Sequence, residues 1–111
     1  METRTIVAKG VSLPKIEEEV ESDIELKEPS MYRVILHNDD YTTMEFVVEI
    51  LERIFHKNRM EAEEIMWTVH EKGSAVCGIY TFEIAQTKVE QVKMAARENG
   101  FPLLATMEED I

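Results

Sequence analysis

From residue 31 onward, apolar residues recur along the chain with the periods of strands and helices. Residues 31–37 are rich in β-branched and aromatic side chains and contain no glycine or proline, which is typical of a strand. Tyr32, Val34 and Leu36 fall on one face of that strand. The Asn and Asp side chains at 38–40 then form a turn signal. The pattern predicts a strand that ends in a polar turn.

Two helices are predicted in the middle of the chain. Thr42 is followed three residues later by Glu45, which is the spacing of a capping box. Asn58 and Glu61 repeat this signature, and Gly73 ends the second helix. Each helix has an apolar face, formed by Val47, Ile50, Leu51 and Ile54 in the first and by Ala62, Ile65, Met66 and Val69 in the second.

The last third of the sequence predicts a strand, a helix and a strand. Residues 75–80 form the second strand, and Thr81 caps a third helix that runs to Asn99, where Gly100 stops it. Residues 103–107 form a short final strand. The order β-α-α-β-α-β favours an α+β fold, a small sandwich of a three-stranded antiparallel sheet with three helices packed on one face.

The first thirty residues have a different composition from the rest. They carry eight acidic and four basic side chains, two prolines and no aromatic residue. Such a segment buries too little apolar area to offset the entropy of ordering it. We therefore predict a flexible acidic N-terminal extension over residues 1–28 and a core domain over residues 29–111.

The overall charge narrows the function classes. Twelve basic against 23 acidic residues give the 111-residue chain a net charge of -11, which disfavours nucleic acid and anionic membrane as partners. No apolar run approaches the roughly 20 residues of a membrane span, and the start lacks the features of a signal peptide. A single cysteine, Cys77, suits a reducing compartment. These features predict a cytoplasmic protein.

Signals for catalysis and cofactors are weak. There is no glycine-rich phosphate loop, and Cys77 lies among apolar neighbours, where thiols are usually inert. The adjacent Asp39 and Asp40 could form an acid/base pair, but such residues after a strand more often serve turns and helix caps. The histidines at 37, 56 and 70 have no metal-ligand spacing. The sequence predicts no enzyme, no metal and no cofactor.

The same polar residues are better suited to binding. If the first two helices pack as a hairpin, His70 approaches Asn38 and Asp39 in the turn after the first strand. Converging acceptors suit a primary ammonium, which has three donors and no acceptor. Met44, Val47, Met66, Val69 and Leu103 could line an apolar pocket beside them. The alternative is that His70 interacts only with the helix dipole and that the apolar stripes are plain core.

Residues 31–47 (MYRVILHNDDYTTMEFV) strongly resemble the ClpS adaptor family. Three further segments match in order: Val69-His70 before Gly73, residues 77–81 with 83–85 and 87–89, and residues 96–99 followed by Pro102-Leu103. The resemblance covers about residues 29–107. It implies a monomeric adaptor that binds N-degrons, peptides that begin with Leu, Phe, Tyr or Trp. It also implies delivery of these substrates to a Clp AAA+ unfoldase, ClpA or ClpC, coupled to the ClpP peptidase.

The resemblance also implies roles for particular residues. The ligand's α-amino group would meet Asn38, Asp39 and His70. The side-chain pocket would comprise Asp40, Thr42, Met44, Val47, Met66, Val69 and Leu103, with Met44 as a gate against β-branched side chains. Tyr41, Glu83 and Lys88 would dock on the N-terminal domain of the unfoldase, and the flexible extension would serve delivery. Trp67 departs from the family, which usually has a smaller apolar residue there; we expect it to be partly exposed or to shift the second helix.

The sequence is also compatible with two other functions. One is an interaction module similar to the C-terminal domain of the ribosomal stalk protein, which shares this α+β layout and reads no amino terminus. The other is a small metal-dependent hydrolase, whose activity would be sensitive to chelators. Substitution of Asn38 or His70 would be silent in the interaction module and disabling in the N-degron adaptor.

Overall fold

The computed structural model describes residues 29–111, so the predicted flexible extension at 1–28 lies outside the described residues. The described part contains six elements in the predicted order. These are β1 (Met31–His37), α1 (Met44–Arg53), α2 (Arg59–Lys72), β2 (Ser74–Thr81), α3 (Phe82–Asn99) and β3 (Leu104–Glu109). The strands form one antiparallel sheet in the order β2-β1-β3. The predicted α+β architecture is confirmed.

The hydrophobic core lies between the inner face of the sheet and the helices. Val34 and Leu36 of β1 are fully buried, as the alternation in this strand predicts. They belong to one cluster with buried side chains from all three helices, including Leu51 and Val92. On the opposite face of the sheet, Ile79 stays about half exposed. The helices thus cover one face of the sheet. Their packing positions the loop after β1 and the end of α2.

One irregularity in the sheet places the cysteine in the core. Val34 pairs with Gly78 and Ile35 with Val76, which leaves Cys77 as an extra residue in β2. Its thiol is buried, and burial raises the pKa of Cys77 to about 12. The thiol therefore stays protonated at neutral pH, in agreement with the prediction of an inert packing group.

Three helix termini follow the predicted chemistry, and a fourth follows it in position only. The capping box at α2 is complete: Asn58 Oδ1 accepts from the Glu61 N–H at 2.8 Å, and Glu61 Oε1 accepts from the Asn58 N–H at 3.3 Å. Gly73 and Gly100 follow α2 and α3 in the left-handed conformation, with φ of 94° and 75°. Thr81 occupies the N-cap position of α3, but its side chain makes no capping hydrogen bond.

The predicted N-cap of α1 was wrong by one residue. The cap is Thr43, whose Oγ1 accepts from the Phe46 N–H at 3.1 Å. Thr42 is unavailable for this role because its hydroxyl and its backbone N–H both donate to Asp39. Thr42 therefore bonds to the Asp39 carboxylate and does not cap α1.

Candidate functional site

The loop between β1 and α1 is folded around one carboxylate. Asp39 Oδ1 accepts from the N–H groups of Tyr41 at 2.8 Å and Thr42 at 2.7 Å, and Asp39 Oδ2 accepts from the Thr42 hydroxyl at 2.7 Å. Burial alone would raise the pKa of Asp39, but the hydrogen bonds from Thr42 and Tyr41 outweigh it and lower the pKa. The loop therefore carries a fixed negative charge at neutral pH.

A backbone hydrogen bond joins this loop to the end of α2. The Asn38 N–H donates to the Gly73 carbonyl at 2.8 Å, directly after the last β1–β2 pair, His37 with Ser74. His70 lies one helical turn before Gly73. The sheet pairing and the left-handed glycine thus bring His70 to the side of Asn38 and Asp39, although more than thirty residues separate them in sequence.

The three polar residues border a common pocket with an apolar interior. Its volume is about 240 Å³. Val47, Met66 and Val69 contribute buried apolar side chains, and Met44 lies half exposed at the rim. The complete lining is Asn38, Asp39, Asp40, Thr42, Met44, Val47, Met66, Val69 and His70.

Leu103 is the one residue of the predicted side-chain pocket that the structure places elsewhere. It lies immediately before β3, is almost fully buried, and belongs to the hydrophobic core cluster. It is absent from the pocket lining. A direct contact between Leu103 and a ligand therefore stays a prediction.

Hydrogen-bonding capacity remains at the polar end of the pocket. Asp39 Oδ1 already accepts from two N–H groups, whereas Oδ2 accepts from one hydroxyl, and a carboxylate offers about four lone-pair sites. Within residues 29–111, neither the Asn38 side chain nor the His70 ring makes a hydrogen bond that would occupy it. The pocket thus combines unused acceptors with an apolar interior, which is suited to a group that is cationic at one end and apolar at the other.

The three predicted docking residues differ in accessibility. Tyr41 is strongly exposed, and Glu83 is exposed in the first turn of α3. Lys88 is half buried, and its Nζ donates to the Ile54 carbonyl at 2.6 Å, at the end of α1. Nothing in the sequence signalled this contact, because the two residues lie 34 positions apart.

Lys88→Met is therefore expected to destabilise the isolated protein. The change leaves the Ile54 carbonyl at the end of α1 without its charged donor, and the expected loss is about 1–2 kcal/mol in the free energy of unfolding. Urea denaturation without any partner measures it. Lys93→Met, at an exposed position of the same helix, is the control and should change stability by less than about 0.5 kcal/mol. An unchanged midpoint for Lys88→Met would leave Lys88 only its predicted surface role.

Trp67, which departs from the resembled family, and His37, which precedes the loop after β1, have definite positions. Trp67 is 47% exposed, and its ring meets that of His70 edge-on, with centroids 5.8 Å apart. His37 Nε2 lies 2.7 Å from Thr106 Oγ1 on β3. Trp67 thus forms part of the surface next to the pocket.

Sequence reasoning missed a second cavity, of about 560 Å³, between α1 and α2. It borders the first, since Met44 and Met66 line both. The apolar stripes gave no sign of it, because it depends on how far apart the two helices lie.

The part of the chain that the structure describes, residues 29–111, contains no group of three or more His, Cys, Asp or Glu side chains arranged to hold a metal ion. No helix in it has the length and apolar character needed to cross a membrane.

Comparisons with known proteins agree on one family. The family model of ClpS, "ATP-dependent Clp protease adaptor protein ClpS", matches residues 27–106. The ATP-dependent Clp protease adapter protein ClpS of Shewanella pealeana is 56% identical over 103 residues, 93% of this chain and 99% of the relative. The ClpS of Syntrophus aciditrophicus is 56% identical over 90 residues, 81% of this chain and 84% of the relative.

A solved structure gives the same result. Agrobacterium tumefaciens ClpS2, determined bound to L-phenylalaninamide, superposes with a TM-score of 0.73 at 38% identity, covering 75% of this chain and all of that one. Sequence and fold thus agree over the described core, and the chain belongs to the ClpS family of adaptors of the ATP-dependent Clp protease.

Proposed function

We propose that this adaptor recognises protein substrates by a free α-amino group and a bulky apolar or aromatic first side chain (Leu, Phe, Tyr or Trp). It hands them to a Clp AAA+ unfoldase, ClpA or ClpC, coupled to ClpP. The adaptor itself catalyses no reaction, and ATP hydrolysis belongs to the unfoldase. The observation that carries the proposal is the pocket in which Asn38, Asp39 and His70 adjoin a buried apolar interior.

The polar end of the pocket recognises the amino terminus of the substrate. An α-ammonium offers three donors, and Asn38, Asp39 and His70 offer an amide oxygen, a carboxylate oxygen and a ring nitrogen as acceptors. The lowered pKa keeps Asp39 ionised, so its hydrogen bond to an ammonium is charge-assisted. Such bonds contribute roughly 1.5–3 kcal/mol each. An internal peptide segment lacks the charge and offers a single backbone N–H in place of three donors.

The apolar interior of the pocket selects the side chain of the first substrate residue. Burial of a Leu or Phe side chain against Val47, Met66 and Val69 contributes about 1.5–3 kcal/mol. Met44, 40% exposed at the rim, acts as the gate that disfavours β-branched side chains, while Asp40 and Thr42 border the opening. A small first residue such as Gly gains none of this burial.

A related protein supports this assignment. The ligand of Agrobacterium tumefaciens ClpS2, L-phenylalaninamide, carries a free amino group and an aromatic side chain on one residue. These are the two features that the polar end and the apolar interior of the present pocket suit. The likeness at 38% identity makes the same ligand class the best candidate here.

Delivery uses other surfaces. Tyr41 and Glu83 are exposed and available to the N-terminal domain of the unfoldase. Lys88 contributes to that surface beside its bond to Ile54. The acidic segment 1–28, which lies outside the described residues, serves substrate transfer. We infer that the adaptor works as a cytoplasmic monomer.

The test is fluorescence anisotropy with two labelled peptides that differ only at their start, one with a free amino-terminal Leu and one with the same Leu acetylated. Loss of at least one charge-assisted hydrogen bond predicts at least tenfold weaker binding of the acetylated peptide. A free Gly-first peptide controls for the side chain and should also bind weakly. Equal binding of both Leu peptides, or none, would contradict the proposal and favour the interaction module.

A further inference from the structure

The sheet has a second face, which no helix covers among residues 29–111. Val34 and Leu36 of β1 belong to the core between the sheet and the helices, so the alternate residues of this strand lie on the other side. The strand register continues that side across both neighbours, since Ile35 pairs with Val76 of β2 and with Thr106 of β3. We call this surface the outer sheet face. Its apolar members are Met31, Ile35, Val76, Ile79 and Leu104.

The outer sheet face exposes more apolar surface than a sheet in contact with water needs. Val76 is 44%, Ile79 48% and Leu104 55% exposed. None of the three belongs to the core cluster or to the partly buried side chains packed against it. Single exposed apolar residues are ordinary, but a patch that extends over all three strands of a sheet indicates a contact surface.

The polar groups of the outer sheet face are already bonded to one another. Arg33, in the central strand, lies 3.1 Å from Glu108 and 3.6 Å from Asp110. His37 Nε2 lies 2.7 Å from Thr106 Oγ1. The face therefore offers mainly apolar contact, and a segment that covers it has to be apolar on one side.

The chain itself contains a segment with this property. Within the acidic extension, Leu13, Ile16, Val20 and Ile24 recur at i, i+3, i+7 and i+11, which is the spacing of one face of a helix. We call these four residues the apolar stripe. Pro14 suits the first turn of such a helix. A helix of about twelve residues is marginal in water alone, but an existing apolar surface can supply the burial that the isolated segment lacks.

The length and attachment point of this segment fit the outer sheet face. The extension joins the core at the start of β1, the central strand of the sheet. Twelve helical residues are about 18 Å long, and a seven-residue strand such as β1 is about 20 Å long. Residues 25–30 connect the two and can span up to about 20 Å. The segment can therefore turn back and lie along the face.

We propose that residues 13–24 dock on the outer sheet face as an amphipathic helix. The apolar stripe packs on the exposed apolar side chains of the sheet, and most of the acidic side chains face water. Asp23 falls within the same helical face, and Arg33 at the centre of the sheet provides the opposite charge. The covalent connection keeps the segment at an effective concentration of about a millimolar or more, so weak apolar contacts suffice.

A second copy of the chain is a poorer occupant of the outer sheet face. Each copy carries a net charge of -11, so two copies repel one another. The outer sheet face shares no residue with the lining of the peptide pocket, so the docking is independent of the proposed function. In the transfer role proposed above, the segment leaves this face before it reaches the unfoldase.

Limited proteolysis of the full chain with thermolysin, which cleaves on the amino side of bulky apolar residues, tests the docking. Mass spectrometry measures the initial rates at which the fragments 20–111 and 24–111 appear. Cleavage before Ile6 and Val7, outside the segment, is the internal reference. We expect cleavage before Val20 and Ile24 to be about three- to tenfold slower, relative to this reference, than in a free peptide of residues 1–28. This corresponds to a docked fraction of about two thirds to nine tenths.

Variants of the sheet assign the protection to the outer sheet face. Ile79→Asp and Leu104→Asp each place a charge in the apolar patch, from β2 and β3, and should raise cleavage before Val20 and Ile24 about three- to tenfold. The matched control is Met94→Asp, which makes the same kind of change at a position of α3 that is 59% exposed. It should leave the rates unchanged. Circular dichroism checks that each variant retains its fold.

Three results would overturn the proposal. The first is equal relative cleavage of the wild-type chain and the free peptide, which would mean that the segment does not dock. The second is an equal increase with Met94→Asp, which would mean that added charge, and not the outer sheet face, controls the cleavage. The third is a wild-type dimer in light scattering that Ile79→Asp converts to a monomer, which would assign the face to a second copy of the chain.

Discussion

Asp39→Ala is expected to weaken binding of a Leu-first peptide about hundredfold or more. Two losses combine in this variant. The ligand's ammonium loses a charge-assisted partner, which contributes roughly 1.5–3 kcal/mol. The loop also loses the three hydrogen bonds from Tyr41 and Thr42 that hold it in place, so the neighbouring Asn38 is no longer fixed relative to His70. Anisotropy with the free-amine Leu peptide measures the effect.

Asp39→Asn separates the two losses. The amide oxygen can still accept from the N–H groups of Tyr41 and Thr42, and the amide N–H can donate to the Thr42 hydroxyl, so the turn is preserved while the charge is removed. We expect about tenfold weaker binding, between the wild type and Asp39→Ala. A result for Asp39→Asn equal to that for Asp39→Ala would mean that the charge alone matters.

Asp110→Ala is the matched control, since it removes one negative charge from the exposed end of the chain after β3. Its partner Arg33 lies 3.6 Å away in a partly exposed ion pair, and ion pairs near the surface contribute little. Binding should change by less than about twofold. If Asp39→Ala with an intact circular dichroism spectrum bound within threefold of the wild type, the assigned role of Asp39 would be wrong.

The pKa of Asp39 also fixes the pH range for this comparison. Because the folded protein holds this pKa below its ordinary value, the hydrogen bonds to the ionised carboxylate stabilise the loop above the ordinary pKa. This contribution is lost as the pH falls through the lower folded value. Asp39 therefore stays charged from pH 8 to pH 5, and any change in wild-type binding in that range originates in another group.

The fold was largely accessible from the sequence because its signals are local. The Asn58–Glu61 capping box and the two terminating glycines each depend on residues within a few positions of one another, and the structure has them as predicted. The prediction of the α1 cap was wrong for an equally local reason. Two adjacent threonines compete for that position, and the competition is decided by Asp39, which binds Thr42.

The site could be predicted from the sequence only in part. The turn after β1 and the end of α2 meet as predicted, because the antiparallel β1–β2 pairing forces Asn38 next to Gly73. The bond from Lys88 to the Ile54 carbonyl and the second cavity between α1 and α2 were not predicted. The first joins residues 34 positions apart and the second depends on the separation of two packed helices, and no periodicity or motif reports either distance.

Binding also depends on the stability of the hydrophobic core beneath α1. Leu51 is 0% exposed and lies in the helix that carries Met44 and Val47 to the pocket. Leu51→Ala is expected to lower the free energy of unfolding by about 2–5 kcal/mol, since it removes buried methyl groups and leaves a cavity. Urea denaturation followed by circular dichroism measures the loss.

Leu104→Ala makes the same substitution at a position in β3 that is 55% exposed, and it should cost less than about 1 kcal/mol. A core of roughly eighty residues has a total stability near the lower end of about 5–15 kcal/mol, so a loss toward the upper end of the expected range leaves a measurable unfolded fraction at 37 °C. The apparent Kd of the peptide should then rise in inverse proportion to the folded fraction, while the Kd of the folded molecules stays close to the wild-type value. A loss below 1 kcal/mol for Leu51→Ala would mean that α1 is not packed as described, and the walls of both the pocket and the second cavity between α1 and α2 would have to be reassigned.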